Sequence, residues 1–569
     1  MSVDNRSFNL VTGPWIKVLD RNTNLEKTVS LLELFDNAQQ YRQLTGDMRS
    51  QDLAVLRLLL AILTTVYSRF DASGDMYDWL VVKELATNRL GVNQELFDED
   101  DIEDDLLETW QDLYQSGKFS EIVGAYLKEY QARFDFFGDR PFYQVTSQNY
   151  DALVPEGKRI ATGKGQVAVK QLNRRISESG NKPAIFAPKS GRFKNEMALD
   201  ELVRWVVTYQ NFTGVTDKTK ILTDEKFSNS GGWLYRISPV FVEGKSLFET
   251  LMLNLVLVDA GNDATNYAVQ KPVWEYASIQ EYIDERKKME VPDNLAELYT
   301  TWTRLLHIEW DDNGDPTIFS SGVPMFEADN AFIEPMTTWR FDKKTNDYRP
   351  ALKSLRSLGI SMWRNFGQYV KVNQADDIHE PGIVVWLRLL KDKEKIAYGK
   401  PLLLNSVGLI GDGNATSQLP AFEFADDMRM QADVLFDPEI QENWPTRIED
   451  VISTTQAIGT DYYHFVSDIG KIRNVEVRQF AGKMSAKFYD RLNEPFKAWL
   501  QDLTGHDDRE AKIKLWKQEL SRILMMAVDE VMQSSSSRDI TGIPDKKGIL
   551  NIFTARNHLM YNVRTHLDR

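Results

Sequence analysis

The sequence predicts an α+β protein in which a large mixed α/β domain, residues 1–426, precedes a C-terminal four-helix bundle, residues 438–569. Before residue 426, helical periodicities alternate with short apolar runs that end at glycine or proline, as in mixed folds. From about Pro438 onward the apolar residues recur only at helical spacing. The chain has 569 residues, 42% of them hydrophobic, and is therefore long enough for two to four domains with large buried cores.

The first elements follow from turn and capping signals. Phe8–Leu19 predicts two short strands around the turn at Gly13-Pro14. Ser30, with Glu33 three residues later, predicts the start of a helix over Leu31–Ala38. A longer core helix is predicted to begin at Asp47 or Ser50, because four leucines recur in it at helical spacing: Leu53, Leu56, Leu60 and Leu63.

Later in the first domain, Ile383–Leu390 and Pro401–Ile410 predict strands because they are rich in Val, Ile and Leu. The second run is followed by the glycine-rich segment Gly411–Gln418, which Pro420 closes. Glycine, aspartate and asparagine after a strand are typical of a long hairpin loop.

Four amphipathic stripes predict the C-terminal bundle. Their first apolar residues are Ile448, Phe480, Trp516 and Ile552, and the Ser534–Ser537 run separates the last two. On the second helix, three cations recur at four-residue spacing and share the face opposite the apolar stripe: Lys483, Lys487 and Arg491. That face is either simply solvated or a contact surface for DNA or a partner.

The charge distribution is uneven. The chain carries 84 acidic and 68 basic residues, a net charge of −16, yet ten cations and one acid, Glu178, lie in the basic segment, Lys158–Lys194. Clustered Lys and Arg release counterions on meeting phosphate, so the segment is a candidate for contact with a nucleic-acid backbone. The alternative is a solvated surface loop. The segment is followed by a predicted helix, Met197–Gln210, and a predicted turn, Asn211–Gly214.

The residue types for catalysis are sparse. There is no cysteine, and the six histidines form no HExxH pattern and no spacing that resembles a metal site. Gly244-Lys245-Ser246 resembles the end of a phosphate-binding loop, but Pro239 stands where the Walker pattern needs glycine. The acidic run Asp98–Asp105 lacks the glycine and ligand spacing of a calcium loop, and it is typical of a solvated helix start.

These observations favour a non-catalytic binding protein without a metal or cofactor. A metal-dependent nuclease that uses the acidic run remains a third alternative. No secretory signal is recognised at Met1–Arg6, and the apolar run Leu53–Val66 carries Arg57 and is too short to cross a bilayer. We therefore expect a cytoplasmic protein that does not contact membranes.

Several separate stretches, taken in order, resemble one family. They are Phe8-Asn9-Leu10 with Pro14-Trp15-Ile16, Ser30-Leu31-Leu32-Glu33, Arg140-Pro141-Phe142-Tyr143-Gln144, and Gly244–Leu251 followed by Asn254-Leu255. Together with the C-terminal bundle they resemble the CasA large subunit of the type I-E CRISPR Cascade surveillance complex. The resemblance covers nearly the whole chain.

The resemblance implies a non-catalytic subunit that reads the protospacer-adjacent motif (PAM) in double-stranded DNA, helps to start duplex opening and R-loop formation, and recruits a helicase–nuclease. The implied partners are the crRNA, the target DNA and the backbone, handle-binding and small subunits of Cascade. The alternative class is a structural RNA-binding subunit of another ribonucleoprotein, which would not read DNA sequence. In RNA-guided complexes of this kind, base pairing with the RNA reads the target sequence and the protein reads only a short motif.

The resemblance also implies site residues. The loop that reaches the crRNA handle corresponds to Asn181–Lys194, with Phe186 as the aromatic contact and four cations on phosphates: Lys182, Lys189, Arg192 and Lys194. The glycine loop that approaches the PAM in the minor groove corresponds to Asn211–Gly214, with contacts assigned to Thr213 and Gly214. The wedge that splits the first base pair is a glutamine followed five residues later by a glutamate, which Gln418 and Glu423 match; Asn414 is the alternative. The PAM-reading lysine of the family should lie near Thr317–Val323, where this chain has no lysine.

Overall fold

The structure is a computed structural model. It describes residues 6–84, 89–93, 95–96, 98–167, 172, 197–214, 219–228, 231–258, 269–311, 314–370, 372, 377–411, 420–439, 443–545 and 548–567. The chain divides into two compact units. The first unit comprises Met1–Leu358, Asp376–Leu390 and Leu404–Asp426, and the second comprises Gly359–Ala375, Lys391–Leu403 and Asp427–Arg569. The second unit therefore takes two segments from the region that the sequence assigns to the α/β domain.

Helices and strands alternate in the first part of the chain, and long helices dominate its end. The described helices are α1 (Leu31–Asn37), α2 (Arg49–Tyr67), α3 (Glu99–Ser116), α4 (Glu121–Glu129), α5 (Ser147–Leu153), α6 (Leu199–Phe212), α7 (Leu247–Asn254), α8 (Ile279–Arg286), α9 (Leu295–Thr300), α10 (Phe366–Tyr369), α11 (Gly382–Asp392), α12 (Ala432–Leu435), α13 (Trp444–Arg473), α14 (Val477–Gln501), α15 (Arg509–Gln533), α16 (Ser537–Thr541) and α17 (Ile552–Leu567).

The described strands form small sheets rather than one large one. The strands are β1 (Ile16–Asp20), β2 (Glu26–Val29), β3 (Tyr41–Leu44), β4 (Leu80–Glu84), β5 (Arg89–Val92), β6 (Gln166–Val167), β7 (Val240–Glu243), β8 (Arg304–Trp310), β9 (Pro316–Gly322), β10 (Trp339–Asp342), β11 (Asp347–Pro350), β12 (Ile378–His379), β13 (Pro401–Gly411), β14 (Pro420–Gln431), β15 (Ile543–Asp545) and β16 (Gly548–Leu550). Their orders are β2-β1-β3, β11-β10-β12, β14-β13-β7 and β6-β9-β8, with the hairpins β4-β5 and β15-β16.

Helix α2 is the core helix of the first unit. It is the one described helix long and apolar enough to span a bilayer, and 94% of its most apolar window is buried inside the protein. Its Arg57 is fully buried and forms a two-pronged ion pair with Glu334, at 2.9 and 2.8 Å. The carboxylate also accepts hydrogen bonds from the Trp233 indole at 2.6 Å and the Met336 amide at 2.9 Å. These four contacts satisfy the buried carboxylate, as a charge in an apolar core requires.

The second unit contains the predicted four-helix bundle, which α13, α14, α15 and α17 confirm. Trp516 on α15 is buried and its indole donates to the Thr455 hydroxyl on α13, at 2.9 Å. Residues 359–375 join this unit because Trp363 stacks on Phe496 of α14, with ring centroids 4.1 Å apart. The mixed α+β class and the helical C-terminal region are thus as the sequence predicts.

Two element predictions are wrong. Ile383–Leu390 forms helix α11 rather than a strand, because five of its apolar residues lie on one buried helical face: Ile383, Val384, Trp386, Leu387 and Leu390. Burial on that face outweighs the strand preference of Ile and Val. In Phe8–Leu19, the strand is β1 alone; the Gly13 amide donates to the carbonyl of Asn9 at 2.6 Å, which makes the preceding residues a turn.

Candidate nucleic-acid interface

Helix α6 leads into the predicted glycine loop. Its side chains from Leu202 to Phe212 are buried. The helix ends later than the sequence suggests, since Asn211 and Phe212 are still helical and the Thr213 amide closes the last turn on the Tyr209 carbonyl at 2.9 Å. Thr213 is fully buried, and its hydroxyl donates to the Gly214 carbonyl at 3.1 Å. In this structure the Thr213 side chain faces the protein, and its assignment as a DNA contact stays a prediction from the resemblance.

Arg304, the first residue of β8, holds the end of α6. It is 1% exposed, and its guanidinium donates from Nη2 to the Gly214 carbonyl at 3.1 Å and from Nη1 to the Thr303 carbonyl at 2.8 Å. The Gln210 amide binds the same backbone: its oxygen accepts from the amides of Thr303 and Arg304 at 2.9 and 3.0 Å. Sequence reasoning missed Arg304, whose only signal is a charge at the start of an apolar strand.

After residues 215–218 the chain returns to the neighbouring strand. The Gly322 amide donates to the Thr219 carbonyl at 2.9 Å, and the Ile221 amide donates to the Gly322 carbonyl at 3.1 Å. Gly322 on β9 is the direct antiparallel partner of Arg304 on β8. Gly214, the last residue of the predicted glycine loop, and Thr219 are therefore both held at adjacent positions of one sheet.

The same sheet contains most of the stretch in which the resemblance places the PAM-reading lysine. Residues 317–322 lie in β9, and Lys220 pairs with Gly322 through an isolated parallel bridge. The Lys220 ammonium donates to the Phe227 carbonyl and lies 5.0 Å from the centre of the Phe227 ring. A lysine from a separate segment thus stands beside the stretch where the family resemblance expects one.

The basic segment is also connected to this sheet, through strand β6. Val167, the last residue of β6, pairs with Ile318 of β9, and residue 168 follows directly. Of the described cations in the segment, Arg159 is exposed and donates to the Asp151 carbonyl at 3.2 Å. The predicted handle-contacting residues lie outside the described residues: Lys182, Phe186, Lys189, Arg192 and Lys194.

The predicted wedge belongs to the connection between β13 and β14. Asn414 and Gln418 lie outside the described residues, while Glu423 on β14 is described. The Glu423 carboxylate accepts a hydrogen bond from the Ser50 amide at 2.7 Å. Ser50 lies in the first turn of α2, where amides have no partner within the helix. Glu423 therefore fastens the hairpin to the N-terminus of the core helix.

The cationic face of α14 is partly neutralised within the bundle. Lys483 is exposed, whereas Lys487 and Arg491 both bind the Glu530 carboxylate on α15. These two cations hold the pKa of Glu530 below its usual range. Exposed ion pairs of this kind contribute about 0–1 kcal/mol, so they leave the face available to a stronger anionic partner.

Two further segments from the sequence analysis have internal structural roles. Ser246 accepts from the Glu249 amide at 3.2 Å and caps α7, while the amides of Gly244 and Lys245 donate to Thr250 and Glu249. Donors that would cradle a phosphate are thus already used. Asp98 caps α3, with its carboxylate accepting from the Asp100 amide at 3.1 Å. Among the described residues, no group of three His, Asp or Glu side chains is placed to hold a metal ion.

Comparison with solved structures shows that the chain shares its fold with CRISPR-associated proteins. The fold matches "Crystal structure of Thermobifida fusca Cse1" with a TM-score of 0.77 at 20% identity, covering 100% of this chain and 99% of the other. It matches Cse1 from Acidimicrobium ferrooxidans with a TM-score of 0.70 at 19% identity, covering 99% and 98%. A chain described as "CRISPR RNA-guided surveillance complex" matches with a TM-score of 0.62 at 14% identity, covering 99% of each. No curated protein matches the sequence.

The family follows from the sequence itself. The model of "CRISPR-associated protein Cse1 (CRISPR_cse1)" matches residues 9–527, more than nine-tenths of the chain. This protein belongs to the Cse1 family, also called CasA, which confirms the family resemblance.

Proposed function

We propose that this protein is the PAM-reading large subunit of a type I-E CRISPR surveillance complex, that it acts in the cytoplasm and that it is not itself an enzyme. In this role it binds the crRNA handle and the other Cascade subunits, reads a short motif in duplex DNA, helps to open the duplex and recruits a helicase–nuclease. Family membership supports the general role, and the match to a chain of an RNA-guided surveillance complex supports the setting.

One observation carries the proposal: three segments assigned to nucleic acid are attached to a single small sheet. The basic segment follows β6, the predicted glycine loop ends at Gly214, whose carbonyl binds Arg304 on β8, and β9 contains most of the stretch expected to bear the lysine. A rigid sheet can hold a short loop at a fixed depth in a groove, which reading a few base pairs requires.

In this mechanism Arg304 is a positioning residue. It binds the Gly214 carbonyl and so holds the end of the predicted glycine loop, while the loop itself contacts the minor groove. Lys220, beside Gly322, supplies the positive charge that Thr317–Val323 lacks. The degenerate donor and acceptor pattern of the minor groove allows several related motifs to be accepted.

The decisive experiment is selection of a randomised PAM library by gel shift with the reconstituted complex. The variant is Arg304→Gln, and the matched control is Arg204→Gln, which removes another buried arginine that binds the Trp15 carbonyl and Asp200. We expect both changes to lower the melting temperature but only Arg304→Gln to broaden or abolish motif selection. Unchanged selection with Arg304→Gln would contradict the assignment of the loop.

The same assay tests the remaining roles. Gln418→Ala should lose binding to duplex targets and regain it on a pre-opened bubble, because splitting a base step costs a few kcal/mol. Asn414→Ala is its control. If Asn414→Ala loses duplex binding and Gln418→Ala does not, the wedge is Asn414.

Lys220→Gln should lower the slope of log affinity against log salt by about 1, whereas Lys118→Gln on the exposed surface should not.

The alternative classes make different predictions. A complex that binds RNA but selects no DNA motif would indicate a structural RNA-binding subunit. Divalent-dependent cleavage of DNA by the isolated protein would indicate a nuclease.

Recruitment of the helicase–nuclease is tested by adding it to complexes bound to matched and mismatched targets. We expect the helicase–nuclease to be retained only on the opened target.

A further inference from the structure

The first unit contains a cavity of about 250 Å³ that has no role in the interface described above. It is formed by residues 133–149, by residues 273–282 and by Trp302. This size lies just below the range of about 300–1,000 Å³ that is usual for drug-sized ligands, so it suits a single small group such as one nucleobase.

The charges at the cavity favour an anion. Arg133 and Arg140 both line it, and neither forms an ion pair with any residue in the described part of the chain. Burial and the charge of Arg140 lower the pKa of Arg133. Asp139 is the one acid among the lining residues, which leaves a net charge of +1 in a chain whose total is −16. Two neighbouring arginines without a carboxylate partner are stabilised when a phosphate binds between them.

The walls are aromatic. They include Trp274, Tyr276 and Trp302, and such side chains stack on unpaired bases in proteins that bind single strands. The Gln144 amide nitrogen donates to the carbonyls of Phe136 and Phe142 at 3.3 and 3.4 Å, which leaves its oxygen as an acceptor for the amino group of a base.

The backbone at the cavity is strained. Tyr143 has φ of +55°, at the third position of the turn that the Gln144 amide closes on the Pro141 carbonyl at 2.9 Å. Glycine or asparagine is usual at such a position. The Tyr143 hydroxyl donates to the Thr300 carbonyl at 3.0 Å and holds the ring in place. Strain of this kind concentrates at ligand sites.

The cavity adjoins the sheet of the proposed interface. The Val145 amide donates to the Leu306 carbonyl of β8 at 2.8 Å, and His307 of β8 contacts the Val145 carbonyl at 2.8 Å. Trp302, in the cavity wall, stands two residues before Arg304, which holds the predicted glycine loop. A strand released near that loop would therefore be close to the cavity.

We propose that this cavity binds one unstacked nucleotide of a single strand of nucleic acid, with its base against the aromatic wall and its phosphate on Arg133 and Arg140. This proposal rests on the proposed function only for where the single strand comes from. The isolated protein should bind such a strand by itself.

The test measures fluorescence anisotropy of the full-length protein with fluorescein-labelled eight-nucleotide strands, oligouridylate in one arm and oligodeoxythymidylate in the other. The variant is Arg133→Gln with Arg140→Gln. The control, Lys118→Gln with Lys128→Gln, removes the same charge from exposed positions of the first unit. We expect at least ten-fold weaker binding for the cavity variant and less than two-fold for the control, with melting temperatures confirming that both fold.

A strand that carries 4-thiouridine should crosslink within residues 133–149, residues 273–282 or Trp302. Binding in either arm supports the site, and the arms tell which strand it prefers. The proposal is overturned by equal loss in both double variants, by crosslinks that all lie outside these residues, or by no binding of either strand. It is also overturned if a short peptide with a free terminal carboxylate displaces the strand. Motif selection by the Arg304 variants is measured separately, so failure of this site leaves the PAM proposal untouched.

Discussion

Asp52 makes the stability of the first unit depend on pH in a way that can be worked from the structure. It lies in the first turn of α2, where its carboxylate accepts from the Gly46 amide at 2.7 Å. Its pKa is raised from 3.8 to about 7, with burial as the largest cause; the Gly46 hydrogen bond and Arg49 oppose this shift, and Glu423 and Asp47 add to it. Replacing Asp52 by Asn keeps the shape and the acceptor but removes the titration.

The sign follows from proton binding. Between pH 4 and pH 7 the folded state holds a proton on Asp52 that the unfolded chain has released, so stability falls as pH rises and is level above pH 7. At about 1.36 kcal/mol per unit, the loss is about 1.5 kcal/mol at pH 5 and about 4 kcal/mol at pH 8. The advantage of Asp52→Asn over wild type should therefore grow by about 2.5 kcal/mol between these values.

The assay is thermal unfolding of both proteins at pH 5, 6, 7 and 8. With about 2.1 cal/mol/K per residue and roughly 400 residues in the first unit, the difference in melting temperature should widen by about 3 °C from pH 5 to pH 8. Asp36→Asn, at an exposed position of α1, is the control and should show no such widening. A constant difference across this range would refute the argument that Asp52 is protonated in the folded state.

Two further predictions concern packing. Arg57→Met should lower the free energy of unfolding by about 3–5 kcal/mol, because Glu334 is left charged and buried without its partner. Adding Glu334→Gln should recover part of this loss in denaturant titrations. A double variant that is no more stable than Arg57→Met alone would contradict this argument. Gly459→Ala should destabilise the bundle by about 1–3 kcal/mol although alanine favours helices, because the new methyl group would meet the Tyr489 hydroxyl. The ring carbon Cζ of Tyr489 would also lie 2.6 Å from that methyl group, so Tyr489→Phe should relieve only part of the cost. Tyr489→Ala should relieve most of it in melting experiments, and no relief from either change would show that the clash lies elsewhere.

The sequence by itself determined the elements whose signals are local. Ser30 as a helix cap, the core helix with its leucine repeat, strand β13 and the four bundle helices were all predictable, because capping and apolar periodicity act within a few residues. The family could also be recognised, because ordered short motifs survive along the chain. The division into one mixed region and one helical bundle followed from the same periodicities.

Only the tertiary structure decided which distant segments meet. Helix α11 was misread because its Ile and Val residues favour strands locally while its burial is set by distant partners. Arg304 and Gly322 gain their importance from lying opposite each other on β8 and β9, where they bind Gly214 and Thr219, which stand roughly 90 to 100 residues earlier in the sequence. Arg133 and Arg140 become a candidate anion site only because folding brings them to one cavity without a carboxylate partner in the described residues. Contacts of this range depend on the packing of whole elements, which no local pattern encodes.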